Sequence, residues 1–176
     1  DFDRLPIPFR AVATDIVTGE KVVLSSGRLS EAIRASMTIP AVIVPLEMDG
    51  HLLVDGGLTD NLPVDVARAM GADVVIAVDI GTPLSDREHL RSLFDVSRQV
   101  VSILTDSNVR RSRKLADLLV EPDLSGISAP DYGKMPRAVK AGKAAAQAMA
   151  AQLGAYALPA DQYAALAEAR RRAAFK

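Results

Sequence analysis

The sequence predicts an α/β fold in which a mostly parallel sheet is flanked by helices. Three observations carry the prediction. Residues 54–71 read as a strand end, a tight Asp55-Gly56-Gly57 loop and then a helix; residues 72–80 form a nearly continuous apolar run; and helical periodicities alternate with these short β-type runs. At 176 residues the chain has the length of one domain or a large part of one.

Taken in order, residues 8–16 form a β-type run that turns at Thr18-Gly19 and resumes at Lys21-Val22-Val23-Leu24, a hairpin. Leu29, Ala32, Ile33, Ser36 and Met37 recur at helical spacing, and Pro40 stops the helix. Val42-Ile43-Val44 and His51-Leu52-Leu53-Val54 flank Met48-Asp49-Gly50. An Asp-Gly pair between apolar runs is a strong hairpin signal. Asp60 or Asn61 is expected to cap a helix with Pro63 in its first turn, and Val64, Ala67 and Met70 carry its apolar face until Gly71 ends it. The run at 72–80 has Asp73 and Asp79 near its ends, the pattern of a strand covered on both faces at the centre of a parallel sheet. A long helical stretch from about Arg87 to Leu118 follows, with a break near 106–108. A short strand at 118–122, a loop at 123–135 and a helix starting at Pro136 come next. From Ala138 onward alanine fills 17 of 39 positions, a composition that favours covering helices over a second core. Arg170-Arg171-Arg172 suit a helix C-terminus, where positive charge is favourable. The organisation expected is a main portion at 1–155 and an Ala/Arg-rich C-terminal helix at 156–176.

Composition and spacing exclude several functions. Twenty-one basic against 22 acidic residues give a net charge of −1, which offers no overall field for nucleic acid. No apolar stretch approaches the length of a transmembrane helix. Without cysteine there is no disulfide, thiolate nucleophile or Cys-ligated metal. The two histidines, His51 and His89, form no metal-ligand pair, and both are expected to be surface or locally satisfied residues. No two glycines stand two or five positions apart, so neither Gly-x-Gly-x-x-Gly nor a P-loop is present. None stand four apart, so there is no Gly-x-Ser-x-Gly nucleophile elbow; Gly126-Ile127-Ser128-Ala129-Pro130 is only a loop imitation.

What remains is Asp55. A strand followed by a tight loop and a helix brings it to a sheet edge, and two adjacent glycines are expected to allow positive φ and close approach to a ligand. Such a carboxylate can orient or deprotonate a nucleophile. The plainer reading is an Asx-type turn that satisfies neighbouring backbone amides. A non-catalytic ligand-binding or structural α/β module is therefore the alternative to an enzyme.

The residues around Asp55 resemble the bacterial patatin-like phospholipases. The resemblance is carried by Phe9-Arg10-Ala11-Val12-Ala13-Thr14-Asp15 with Gly19-Glu20, by Ala35-Ser36-Met37-Thr38-Ile39-Pro40 with Pro45 after it, by residues 54–63, and by residues 71–79. It covers residues 1–155 and implies the C-terminal half of a patatin-like domain. Ala41 departs from the glycine that many relatives have after the proline. The family's Gly-rich oxyanion loop and Gly-x-Ser-x-Gly elbow have no counterpart here. With Asp1 at the start, an upstream segment carrying them is the partner expected, whether cleaved from this chain or supplied separately.

The resemblance implies that Asp55 is the aspartate of a Ser-Asp dyad whose serine lies upstream, so that this chain alone is inactive. It further implies that Ser36, Ile39 and Pro40 line an acyl cleft, that Gly56 and Gly57 shape the loop, and that Asn61 and Pro63 fix the helix behind it. The implied substrate is a phospholipid or lysophospholipid, with no metal or organic cofactor. The implied compartment is either the cytoplasm or the cell surface.

Overall fold

A computed structural model describes residues 1–81, 84–127 and 131–174. The chain divides into two compact units, residues 1–59 with 156–176, and residues 60–155.

The first unit is built on a four-stranded antiparallel sheet of β1 (Ala11–Asp15), β2 (Lys21–Leu24), β3 (Leu46–Met48) and β4 (His51–Asp55), in the order β2-β1-β4-β3. Its two hairpins turn where the sequence predicts. Gly19 (φ +74°) closes β1–β2, while Asp49 (φ 52°) and Gly50 (φ 83°) close β3–β4; both positions of a type I′ turn need positive φ. Central β1 is buried along its whole length. Helix α1 (Leu29–Ser36) packs on β1 and β4. The core gathers Phe2, Ala11, Ala13, Leu24, Ala32, Ala35 and Leu53. Helix α1 turns its small residues, Ala32 and Ala35, to the sheet, and leaves Leu29, Ile33 and Met37 exposed. This corrects the expected apolar face: alanine at the contact lets the helix axis approach the strands closely, and bulky side chains there would hold it off.

Residues 42–44 do not form the first arm of the second hairpin. That arm is β3, beyond Pro45, because Ala41 adopts φ 63° and Val42 and Ile43 donate their amides to the Ile39 carbonyl in a turn (3.2 and 3.0 Å). A left-handed alanine costs about 1–2 kcal/mol, and a glycine there loses part of that gain to the unfolded chain's entropy, about 0.4–1 kcal/mol. Ala41→Gly is therefore expected to leave stability unchanged or raise it by up to about 1 kcal/mol, read from the urea midpoint. Alanine placed at Gly19 (φ +74°), where no such tolerance has been established, should lower it.

Helix α2 (Gly57–Asp60) follows Gly56 in the chain. The second unit contains α3 (Val64–Ala69), β5 (Ile76–Val78), α4 (Leu93–Ser112), β6 (Leu118–Val120), α5 (Met135–Ala148) and α6 (Ala150–Gly154). Strands β5 and β6 pair in parallel, Ile76 opposite Leu118. Leu62, Val64, Val75, Ala77 and Val109 form the core. The α/β class holds, but the parallel pairing is confined to this pair among the described residues. Tight two-residue turns can join only antiparallel neighbours, and such a turn closes the β3–β4 hairpin in the larger sheet. Residues 72–80 likewise give a strand of only three residues. Ile76 and Val78 are 46% and 51% exposed while Ala77 is buried, so this strand alternates and is not covered on both faces.

Two helix ends differ from expectation. Pro63, not Asp60 or Asn61, occupies the N-cap position of α3, with no side-chain capping bond; Gly71 (φ +89°) does end it. The stretch at 87–118 breaks early, not at 106–108. A short 3-10 turn at Arg87–His89 precedes α4, which starts at a capping box: Ser92 Oγ accepts from the Asp95 amide (3.1 Å) and Asp95 Oδ2 from the Ser92 amide (3.0 Å). In the C-terminal helix α7 (Ala160–Ala174), Arg171 and Arg172 lie in the last turn, the position expected for that basic run, and they also pair with Glu168 at 2.9 and 3.1 Å.

Candidate active site

Strand β4 ends at Asp55, opposite Ala13 of β1. The main chain of Asp55 is fastened on both sides. Its N–H donates to the Thr38 carbonyl (2.8 Å) and its carbonyl accepts from Thr14 Oγ1 (3.0 Å). Thr14 Oγ1 also lies 3.0 Å from Thr59 Oγ1, which reaches back toward the Gly56 carbonyl (3.4 Å). Thr14 and Thr38 are buried, and Thr38 Oγ1 donates to the Arg34 carbonyl (2.6 Å). These hydroxyls serve backbone oxygens and hold the loop. Each such bond contributes about 1 kcal/mol net, with a larger penalty if its buried partner is orphaned.

The carboxylate is half-buried. Oδ1 accepts the Gly57 N–H at 2.7 Å, the Asx-type turn, while Oδ2 takes no hydrogen bond from the described residues. Burial pushes the Asp55 carboxyl above the ordinary aspartate range, and the Gly57 amide offsets this in part. One oxygen is thus anchored and the other is not engaged by any described residue.

Gly56 is essential for a reason other than the one expected. Its φ is not positive; instead, a Cβ on Gly56 would stand 2.2 Å from the Val12 carbonyl oxygen and 2.6 Å from its carbon. The loop lies directly on the backbone of β1, and only a residue without a side chain fits. Gly57 opens α2 and supplies the amide that orients Asp55.

The segment at 36–40 is tied to Asp55 through Thr38. Ser36 ends α1 and is half-buried, as is Pro40, whereas Ile39 is exposed. In the second unit, the Asn61 N–H donates to Asn108 Oδ1 (3.0 Å), and Pro63 precedes α3. Asn61 therefore shapes the loop through its backbone amide and does not cap the helix. Thr14, Thr38 and Thr59 were not singled out by sequence reasoning. Only the position of Thr14 within a β-type run beside Asp15 signals it, since a hydroxyl in a buried strand needs a partner.

Other polar groups are locally satisfied. Asp15 Oδ2 lies 2.8 Å from His51 Nδ1 and Oδ1 accepts from the Val17 amide (2.9 Å). The hydrogen bond from His51, then that from Val17, holds the Asp15 carboxyl below the usual range. Asp79 accepts from the Gly81 amide (2.7 Å) and from Arg113 Nε (2.6 Å), a strand-end anchor as expected. No group of three or more potential metal ligands occurs among the described residues. The side chain of His89, and residues 128–130 of the loop that imitates an elbow, lie outside the described residues.

A family described as patatin-like phospholipase matches residues 1–68. An uncharacterized NTE family protein of Mycobacterium tuberculosis is 41% identical over 119 residues, 65% of this chain and 33% of the relative. Patatin-like phospholipase domain-containing protein 7 of Rattus norvegicus is 49% identical over 82 residues, 46% of this chain and 6% of the relative. Patatin-like phospholipase domain-containing protein 6 of Homo sapiens is 47% identical over 82 residues, with the same coverage, 46% and 6%. The chain thus spans about a third of the mycobacterial relative and a small fraction of the mammalian ones.

Proposed function

The chain belongs to the patatin-like phospholipase family, and from that premise we propose that it supplies the aspartate of a Ser-Asp dyad in a lipid acyl hydrolase. The serine and the oxyanion-binding amides come from an upstream segment that carries Gly-x-Ser-x-Gly. The serine hydroxyl attacks the ester carbonyl of a phospholipid or lysophospholipid while its proton passes to Asp55 Oδ2. The alcohol portion then leaves with that proton. Water, deprotonated by the same carboxylate, releases the fatty acid from the acyl-serine. Ser36, Ile39 and Pro40 flank the acyl chain, and the chemistry needs neither metal nor organic cofactor.

The observation that carries this reading is the asymmetry of Asp55: Oδ1 fixed by Gly57, Oδ2 unclaimed by the described residues, and a carboxyl made more basic by burial. A carboxylate retained only to close a turn gains nothing from that desolvation. The rival reading, a ligand-binding or structural module, draws on the Oδ1 bond alone.

A fluorophosphonate probe tests the proposal. In the protein that carries this chain, the label is expected on a serine outside residues 1–176, and residues 1–176 alone should neither take the label nor hydrolyse a p-nitrophenyl acyl ester. Turnover by residues 1–176 alone would sink the upstream serine.

A further inference from the structure

The longest helix of the second unit buries only part of its apolar surface: Val109 enters the core, while a second aliphatic face stays exposed. At about 100° per residue, Leu93, Val96, Val100, Ile103 and Leu104 of α4 form one aliphatic stripe about 100° wide, and all five are exposed. The opposite side of α4 makes its contacts within the unit, with Val109 in the core. Asn108 is buried and takes the Asn61 amide. Gln99 accepts from the Ser85 amide (3.1 Å) and donates to the Ser85 carbonyl (3.3 Å). A surface helix normally turns polar residues outward, so an exposed aliphatic face of this length marks a docking surface.

Charge identifies the occupant. Residues 91–114 hold six cations and two anions; Arg98 and Arg110 pair with Asp95 and Asp106, and Arg113 with Asp79 and Glu121. The two anions are thus engaged, Asp95 also in the capping box. Arg91 precedes the stripe, Arg111 continues it and Lys114 lies just beyond; all three are exposed. Cations therefore bracket an apolar strip about 17 Å long. A second copy of this helix is disfavoured in either direction, because parallel and antiparallel pairing both set cationic ends against each other. Among the described residues no helix is long and apolar enough to cross a membrane.

We propose that the outer face of α4 lies on an anionic lipid bilayer. Val96, Val100 and Ile103 enter the boundary between headgroups and acyl chains, while Arg91, Arg111 and Lys114 extend to the phosphates. The acidic remainder of the chain is repelled by the same surface, which fixes a single orientation. This surface is independent of the hydrolase reading, since nothing in it involves Asp55.

The chain contains no tryptophan, so Val100→Trp in the protein that carries it adds one reporter to these residues, with Ile103→Trp as a second should the first fail to fold. On vesicles of phosphatidylcholine and phosphatidylglycerol its emission should shift to the blue and be quenched by brominated acyl chains. Tryptophan at Val17, on the exposed β1–β2 turn, should not respond. Removing two cations together (Arg111→Ala, Lys114→Ala) should weaken binding to these vesicles by about tenfold or more. Three results overturn the proposal. One is no shift with vesicles. Another is affinity unchanged in the double variant. The third is Val100→Trp emission already blue in lipid-free buffer, which means that protein covers the stripe, a second copy if dilution reverses it. Because the readout is fluorescence, an absence of ester hydrolysis leaves it untouched.

Discussion

Replacing Asp55 with asparagine is expected to lower ester turnover by about 10²–10⁴-fold while leaving the fold intact and somewhat more stable at neutral pH. Asparagine keeps an oxygen for the Gly57 amide but cannot take a proton from serine. The stability gain follows from the direction of the carboxyl's shift. Because burial raises its folded-state pKa, the stabilisation linked to its protonation is complete below the ordinary aspartate range. It is lost as pH rises through the folded value. At neutral pH the ionised, desolvated group is therefore a burden that the amide removes, and the gap between the variants should close on acidification. Under the proposed dyad the same shift governs activity: with Asp55 acting as an ionised base, the acidic limb of kcat/KM should lie above the ordinary aspartate range. Initial rates across pH, with thermal midpoints of both proteins, check the prediction. A variant with unchanged turnover would falsify the dyad.

Gly56→Ala should be the most damaging single methyl group in the first unit. It places a carbon 2.2 Å from the Val12 carbonyl oxygen, and both partners are backbone, so relief requires β4 to separate from β1. A loss of about 3 kcal/mol or more is expected, at or above the upper end of ordinary overpacking, together with loss of activity. The same change at Gly142, inside α5, meets nothing within 4 Å. There it should stabilise by about 0.5–1 kcal/mol through helix propensity. Denaturant midpoints of the two variants with opposite signs would separate the backbone clash from any general effect of adding a methyl group.

Local features of this chain could be read from its sequence because their causes are local. The turns at Gly19 and at Asp49-Gly50 need positive φ, and few residue types provide it. Asp55 at a strand end followed by glycines announced a carboxylate at a sheet edge. What could not be read rests on distant neighbours. Gly56 is small because of Val12, 44 positions earlier in the chain. Thr14 is polar because of the Asp55 carbonyl and the Thr59 hydroxyl. Helix α1 buries Ala32 and Ala35 in preference to Leu29 and Ile33 because closeness to β1 and β4, not side-chain size, decides which face turns inward. The run at 72–80 misled for a related reason: its composition suits a covered strand, but cover depends on neighbours that periodicity does not name.

The bonds that the main chain of Asp55 makes, its N–H donating to the Thr38 carbonyl and its carbonyl accepting from Thr14 Oγ1, also impose an order of assembly. Neither can form until the segment from β1 to β4 has folded back on itself, so a newly made or partly unfolded chain holds no carboxylate in working position. The placement of this carboxylate is thus a property of the completed sheet, and under the proposed dyad the centre stays silent in every intermediate that precedes it.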